Sequence, residues 1–155
     1  MQVNFSDEIF IVNEFRKYLQ SNDWNIIQLV CSGGQAHMSI SFKIQGRNKT
    51  VFPDVIALRD NLILIGEVKS RYDYNDEQKI LEIMNSELAQ FRLMKNISIR
   101  FDMNEMDLRI MYALINSEVD SVESSCLYQF VFDGEHFLLK PPTSSIIDDF
   151  PTTYI

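Results

Sequence analysis

The stretch FPDVIALRDNLILIGEVKS, residues 52–70, decides the fold and also raises the question of function. Its two apolar runs, on either side of Asp60-Asn61, have the length and composition of buried strands. Asp and Asn both tolerate positive φ, so we expect a two-residue hairpin turn between the strands. Three charged residues stand inside or at the ends of the apolar runs: Asp54, Glu67 and Lys69.

The pairing of the two strands determines where these charges point. With a two-residue turn, Arg59 pairs with Leu62, and the same register places Asp54 opposite Glu67. Cross-strand partners lie on one face of a sheet with their Cβ atoms about 5 Å apart. Lys69, two residues beyond Glu67, points to that face as well. A one-residue slip would send the two carboxylates to different faces.

Two facing carboxylates repel each other unless a proton or a cation neutralises them. Hard oxygen ligands at this spacing suit Mg²⁺ or Mn²⁺, which take one or two carboxylates and a phosphate oxygen. A neighbouring lysine can orient an attacking water or stabilise charge at phosphorus. The three residues therefore favour metal-assisted phosphodiester hydrolysis. The alternative is that Lys69 only neutralises Glu67 at a strand end while Asp54 faces solvent.

The length of 155 residues fits one domain, which we place at residues 1–140 with a polar tail at 141–155. The sequence has no apolar run of membrane-spanning length and no signal-peptide pattern at its start. Its 2 cysteines are too few for a disulfide framework or an all-cysteine zinc site. These features lead us to expect a cytoplasmic protein that does not enter a membrane.

The charge of the chain is unevenly distributed. The net charge of −8 disfavours broad, nonspecific binding of nucleic acid. Residues 43–71 nevertheless hold 6 basic and 3 acidic groups, whereas residues 101–155 hold 2 basic and 10 acidic groups. The segment that contains the three charged residues is thus the only clearly basic one.

The remaining patterns predict an α/β domain, with a helix, four strands, a second helix and three strands in order. Ser6 or Asp7 is predicted to cap the first helix, which ends near Gln20. Asn75 or Asp76 is predicted to cap the second, which ends near Lys95 and has Ile80, Met84, Leu88 and Phe91 on its inner stripe. Residues 46–49 are predicted to be a turn. The predicted strands are 26–31, 39–44, 51–59, 62–70, 108–115, 127–132 and 136–140.

One part of this pattern resembles a known family. Pro53-Asp54, a gap of 12 residues and Glu67-Val68-Lys69 look like the signature of the PD-(D/E)xK nuclease superfamily. The resemblance extends over roughly residues 6–115 and is strongest to Holliday-junction-resolvase-like members. It implies a restriction-endonuclease-like fold, with a central mixed β-sheet flanked by helices.

The resemblance also implies roles for individual residues. Asp54 and Glu67 would bind Mg²⁺ or Mn²⁺, the carbonyl of Val68 would be a further ligand, and Lys69 would be the catalytic lysine. Family members tend to supply an acid from the first helix, for which we expect Glu8, with Glu14 as the second choice.

Further candidates lie around this signature. Gln78 matches a glutamine that many relatives carry early in the next helix, but Glu82 stands where the RecB-like branch has a tyrosine. His37 follows a glycine turn at residues 32–34 and could contact a phosphate, whereas His136 has no predicted role. Four basic residues could contact nucleic-acid phosphates: Lys43, Arg47, Lys49 and Arg71.

The leading expectation is a metal-dependent endonuclease that cuts DNA. Because most of the chain is acidic, we expect either a homodimer or a partner protein that supplies affinity for DNA. One alternative is a catalytically silent interaction module that binds a partner through the acidic segment 101–155. Another is a member that cuts RNA, and the sequence does not separate it from a DNA nuclease.

Overall fold

A computed structural model describes residues 5–31, 38–117, 124 and 126–143, with the first three of these as backbone only. Its helices are α1 (Phe5–Ser21), α2 (Tyr74–Met84) and α3 (Glu87–Phe101), followed by a 3₁₀ turn at Glu105–Asp107. Its strands are β1 (Asn25–Leu29), β2 (Ile40–Ile44), β3 (Arg47–Val51), β4 (Val55–Arg59), β5 (Leu62–Val68), β6 (Arg109–Ser117), β7 (Tyr128–Phe132) and β8 (Phe137–Lys140).

Six of these strands form one mixed sheet in the order β1-β4-β5-β6-β7-β8. The β5–β6 and β6–β7 pairs are parallel, and the other neighbours are antiparallel. Strands β2 and β3 form a separate hairpin beside α3, where Arg92 Nη1 donates to the Ser41 carbonyl over 2.7 Å. The prediction of an α/β domain with a mixed sheet flanked by helices is confirmed.

Helices cover both faces of the sheet, so the central strands are buried on both sides. On one face Phe15 and Leu19 of α1 pack over Val55 and Leu64. On the other face Ile80 of α2 and side chains of α3 pack over alternate residues of β4 and β5. All seven residues of β5 are buried, as expected for a central strand with two covered faces.

The register of the β4–β5 hairpin is the predicted one. Arg59 pairs with Leu62, and the ladder continues to Val55 opposite Gly66. Asp60 takes a φ of 52°, which a short polar residue tolerates in a tight turn. The two-residue turn on which the pairing of the carboxylates depends is therefore present.

The predicted single helix after the hairpin is wrong, because the structure has two helices there. The helix breaks at Asn85, and the Ser86 side chain caps α3 by accepting a 3.1 Å hydrogen bond from the Ala89 N–H. This break shifts the phase of the apolar stripe. Leu88 and Phe91 are therefore 38% and 50% exposed, and Ala89, Leu93 and Ile97 are buried instead.

The region before the hairpin also differs from the prediction. The turn expected at residues 46–49 lies at Gln45 and Gly46, which both have positive φ, and Arg47–Val51 is a strand. The strand predicted over residues 51–59 is interrupted at Phe52–Asp54. Pro53 lacks an N–H and cannot continue a ladder. Four strands were predicted between the first two helices, whereas the described residues contain five.

Some predictions fall wholly or partly on residues that the structure does not describe. His37 and the glycine turn at 32–34 lie outside the described residues, as does the tail beyond residue 143. Within the described ranges, no helix is long and apolar enough to cross a membrane.

Candidate active site

Asp54 and Glu67 lie together at the end of the β4–β5 hairpin. They occupy the position that follows the Val55–Gly66 pair, on the face of the sheet that α2 covers. The Asp54 N–H donates to Glu67 Oε2 over 2.8 Å, and the Val68 N–H donates to Asp54 Oδ2 over 3.0 Å. Asp54 is 8% exposed and Glu67 3%, so the alternative in which Asp54 faces solvent does not fit.

Burial makes both carboxylates hard to ionise, and the charge of Asp54 adds to this effect at Glu67. Burial is the main cause that raises the pKa of Asp54 to about 6, against the hydrogen bond from Val68, which lowers it. Burial and then the nearby Asp54 raise the pKa of Glu67 to about 7, although Lys79 opposes this rise.

Lys79 is a site residue that the sequence interpretation missed. Its Nζ lies 2.7 Å from Glu67 Oε1 and 2.9 Å from the Phe52 carbonyl oxygen, so it bridges the buried carboxylate and the chain before Pro53. The spacing of Ile80 and Ile83, which are fully buried, places Lys79 on the sheet-facing side of α2. That periodicity could have identified it.

Lys69, the lysine of the signature, lies beside two acids at the start of α2 rather than beside the carboxylate pair. Its Nζ lies 3.8 Å from Asp73 Oδ2 and 4.0 Å from Asp76 Oδ2. Asp76 Oδ2 is buried and accepts no hydrogen bond among the described residues. Burial raises the pKa of Asp76, and the charge of Lys69 opposes that rise. Asp76, which was also missed, therefore helps to fix the position of Lys69.

The first helix brings Glu8 rather than Glu14 toward the site. The charge of Glu8 raises the pKa of both Asp54 and Asp76, so its carboxylate is within electrostatic reach of them. Glu14 instead forms a 3.4 Å ion pair with Lys17 on the outer side of α1.

Gln78 lies beside the site but is not in hydrogen-bond contact with its carboxylates among the described residues. It lines two neighbouring surface cavities, of about 410 and about 470 Å³. Lys43 lines the first cavity, while Lys49 and Lys79 line the second. The link between Gln78 and the site is thus the second cavity, which Gln78 shares with Lys79, the partner of Glu67.

The predicted phosphate-binding residues are exposed, and at least one has an acidic partner. Lys43, Arg47 and Lys49 lie on the β2–β3 hairpin, and Arg71 follows β5. Lys49 forms an ion pair with Glu82 of α2, which reduces the charge that it offers to a phosphate. His136, which had no predicted role, pairs with Asp133 over 2.8 Å on the exposed side of the β7–β8 turn.

The donor set fits a hard divalent cation only in part. Asp54 and Glu67 provide carboxylate oxygens, and a cation beside them would favour the ionised forms that burial disfavours. Across the ranges that the structure covers, however, no three His, Cys, Asp or Glu side chains converge as a metal-binding group. Magnesium is commonly held by one or two carboxylates with waters and substrate oxygens, so Asp54 and Glu67 could hold this ion only together with such further ligands.

Comparison with known proteins leaves the chain without an assigned family. No model of a known protein family matches the sequence. No curated protein matches it significantly either. The functional interpretation therefore depends on the geometry of Asp54, Glu67 and the lysines around them.

Proposed function

We propose that the protein is a metal-dependent endonuclease of the PD-(D/E)xK type, which hydrolyses phosphodiester bonds of DNA. The observation that carries this proposal is the direct contact of Asp54 with Glu67. Burial raises the pKa of both acids, and the charge of Asp54 raises that of Glu67 further, so the pair weakens the folded state, which is understandable if it binds a cation.

The order of elements supports the finer fold assignment, a restriction-endonuclease-like domain. A leading helix, a hairpin that carries the two halves of the signature, and a helix soon after Ser70 follow one another as the resemblance implies. Strand β6 then pairs in parallel with β5, with Leu114 opposite Glu67 in the register.

Each site residue has a role in the proposed reaction. Asp54, Glu67 and the Val68 carbonyl would hold Mg²⁺ or Mn²⁺. Such an ion lowers the pKa of bound water and neutralises charge at the phosphoryl group. The Lys69 ammonium, whose side chain is 33% exposed, would orient the attacking water or stabilise developing charge at phosphorus. Glu8 would add a further negative charge to the site.

Substrate binding would use the exposed basic residues near the site. Lys43, Arg47, Lys49 and Arg71 would contact phosphates, and Gln78 would contact the substrate from α2. The net charge of −8 opposes binding of a long duplex by a single copy. A homodimer or a partner protein in the cytoplasm would therefore supply the remaining affinity.

The test is a cleavage assay on supercoiled plasmid, branched DNA, single strands and RNA, with Mg²⁺, Mn²⁺ or EDTA. Asp54→Ala and Lys69→Met should each lower cleavage by at least about 100-fold, a typical effect of losing a transition-state contact. Lys95→Met, on the far part of α3, is the matched control and should keep activity. Absence of metal-dependent cleavage on every substrate would refute the proposal, and cleavage of RNA alone would correct the substrate.

A second candidate is an interaction module on the same fold. The observation in its favour is that Lys79 already neutralises part of the charge on Glu67 without a metal ion. Calorimetric titration with Mn²⁺ at pH 8 separates the two functions. Binding that Asp54→Asn removes supports the nuclease, and a wild-type protein that binds no Mn²⁺ supports the module.

A further inference from the structure

The Lys79 ammonium has the contacts that a small oxygen-seeking cation would have at this site. Its Nζ reaches Glu67 Oε1 at 2.7 Å and the Phe52 carbonyl at 2.9 Å, and its side chain is only 29% exposed. The Glu67 side chain that it contacts is 4% exposed. A buried carboxylate that lost this partner would be left as an uncompensated charge, which is strongly unfavourable.

Both oxygens of Glu67 are engaged, but the two partners differ in how easily they can leave. Oε2 accepts from the Asp54 backbone N–H, which the adjoining hairpin holds in place. Oε1 accepts from Lys79, whose ammonium is at the end of a long, flexible side chain on another element. A cation that binds Oε1 of Glu67 would therefore displace Lys79 and leave the hydrogen bond from the Asp54 N–H to Oε2 in place.

We propose that Lys79 is an internal counter-ion of the carboxylate pair, which stabilises the site without metal and is displaced from Glu67 by a divalent cation. This inference depends on the metal site of the proposed function. It differs from the role given to Lys69, whose ammonium lies beside Asp73 and Asp76. Lys79 sets how tightly the cation binds, and it is a positioning residue, not a catalytic one.

The test is Mn²⁺ binding at pH 8 without nucleic acid, by calorimetry and by electron paramagnetic resonance. Lys79→Met should bind Mn²⁺ at least about fivefold more tightly than the wild type, a usual size for the coupling between two competing ligands. Lys69→Met removes the same charge from a neighbouring position and should give a clearly smaller gain. Lys95→Met should leave the affinity unchanged.

In this comparison of variants, either of two results would overturn the inference. One is that Lys79→Met binds Mn²⁺ as the wild type does or more weakly. The other is that Lys69→Met gives an equal gain, because any lost positive charge nearby would then explain the effect. If Lys79→Met does not fold, the Cε and Nζ resonances of Lys79 in the wild type are followed during a Mg²⁺ titration. They should shift on saturation, and unchanged resonances would refute displacement.

The outcome is separable from that of the nuclease proposal. Tighter Mn²⁺ binding by Lys79→Met with no cleavage of any nucleic acid would support the counter-ion and refute the nuclease. Cleavage by the wild type together with weaker Mn²⁺ binding by Lys79→Met would support the nuclease and refute the counter-ion. A wild type and a variant that both fail to bind Mn²⁺ would refute displacement by a cation.

Discussion

The backbone N–H of Asp54 donates a 2.8 Å hydrogen bond to Oε2 of Glu67, one position beyond the last pair of the β4–β5 ladder. The hydrogen bond joins two strands through a side chain, at the point where Pro53 prevents β3 from continuing into β4. It also fixes the two carboxylates against each other in a buried site. The consequences of this contact can be measured in the pH dependence of stability and of cation binding.

The stability of the metal-free protein should fall as pH rises from about 4 to about 8. Folding raises the pKa of Asp54 to about 6 and that of Glu67 to about 7. The folded state therefore binds protons that the unfolded state has released, and this stabilisation is complete below about pH 4 and lost above about pH 7. Each unit of raised pKa corresponds to about 1.4 kcal/mol.

Urea unfolding of the wild type and of Asp54→Asn across this range measures the effect. Asp54→Asn should be the more stable protein at pH 8 and should show a shallower decline, because it removes one charge and the repulsion on Glu67. Glu135→Gln, at an exposed position in the β7–β8 turn, should follow the wild type. Parallel curves for Asp54→Asn and the wild type would show that the pair does not titrate as described.

Cation binding should release protons and weaken sharply in acid. At pH 6 to 7 a fraction of the Asp54–Glu67 pair is protonated, so Mn²⁺ must displace protons in order to bind. The affinity should fall by about tenfold per pH unit for each proton displaced, and more slowly above pH 8. Calorimetry at pH 6.5 in buffers of different ionisation enthalpy counts the protons, and a count of zero would contradict the prediction.

The sequence predicted the hairpin because one short segment contains all the information needed for its register. Asp60-Asn61 predicts a two-residue turn, and a turn of that length sets the register of the two strands that it joins. Asp54 and Glu67 could therefore be paired without knowledge of the rest of the chain. Their mutual contact in the structure follows from this local geometry.

The partners of the pair depend on elements that the segment does not contain. Lys79 and Asp76 reach the site because of the rotation of α2 about its axis, which its packing through Ile80 and Ile83 determines. Because α2 and α3 were predicted as one helix, a single buried stripe was assumed for both. The orientation of α2 that brings Lys79 to the site was therefore not predicted. Ser86 was the local signal of two helices, since serine is a favoured N-cap residue at a helix start.

The two acids of α1 should differ in their effect on Asp54. Glu8→Gln should lower the pKa of Asp54, because the charge of Glu8 is one of the causes that raise it. Glu14→Gln is the matched control and should leave that pKa unchanged, since Glu14 pairs with Lys17. The ¹³C resonance of the Asp54 carboxyl group, followed from pH 4 to pH 9, measures both. Equal changes in the pKa of Asp54 on the two substitutions would show that Glu8 does not belong to the site.

Gly66 should resist substitution because β6 approaches it closely. A Cβ at this position would lie 2.9 Å from the Ala113 carbonyl oxygen and 2.9 Å from Ile115 Cδ1. Gly66→Ala should therefore lower the free energy of unfolding by about 1–3 kcal/mol, the usual range for overpacking a core. Because Gly66 adjoins Glu67, the same shift should also weaken Mn²⁺ binding.

A second substitution distinguishes the two contacts that the added methyl group would make. Ile115→Val removes Cδ1 and should recover only part of the stability lost in Gly66→Ala, since the Ala113 carbonyl belongs to the sheet backbone and cannot move aside. The comparison needs urea unfolding of both single variants and of the double variant. Full recovery in the double variant would show that the side chain of Ile115, rather than the backbone of β6, requires glycine beside the carboxylate pair.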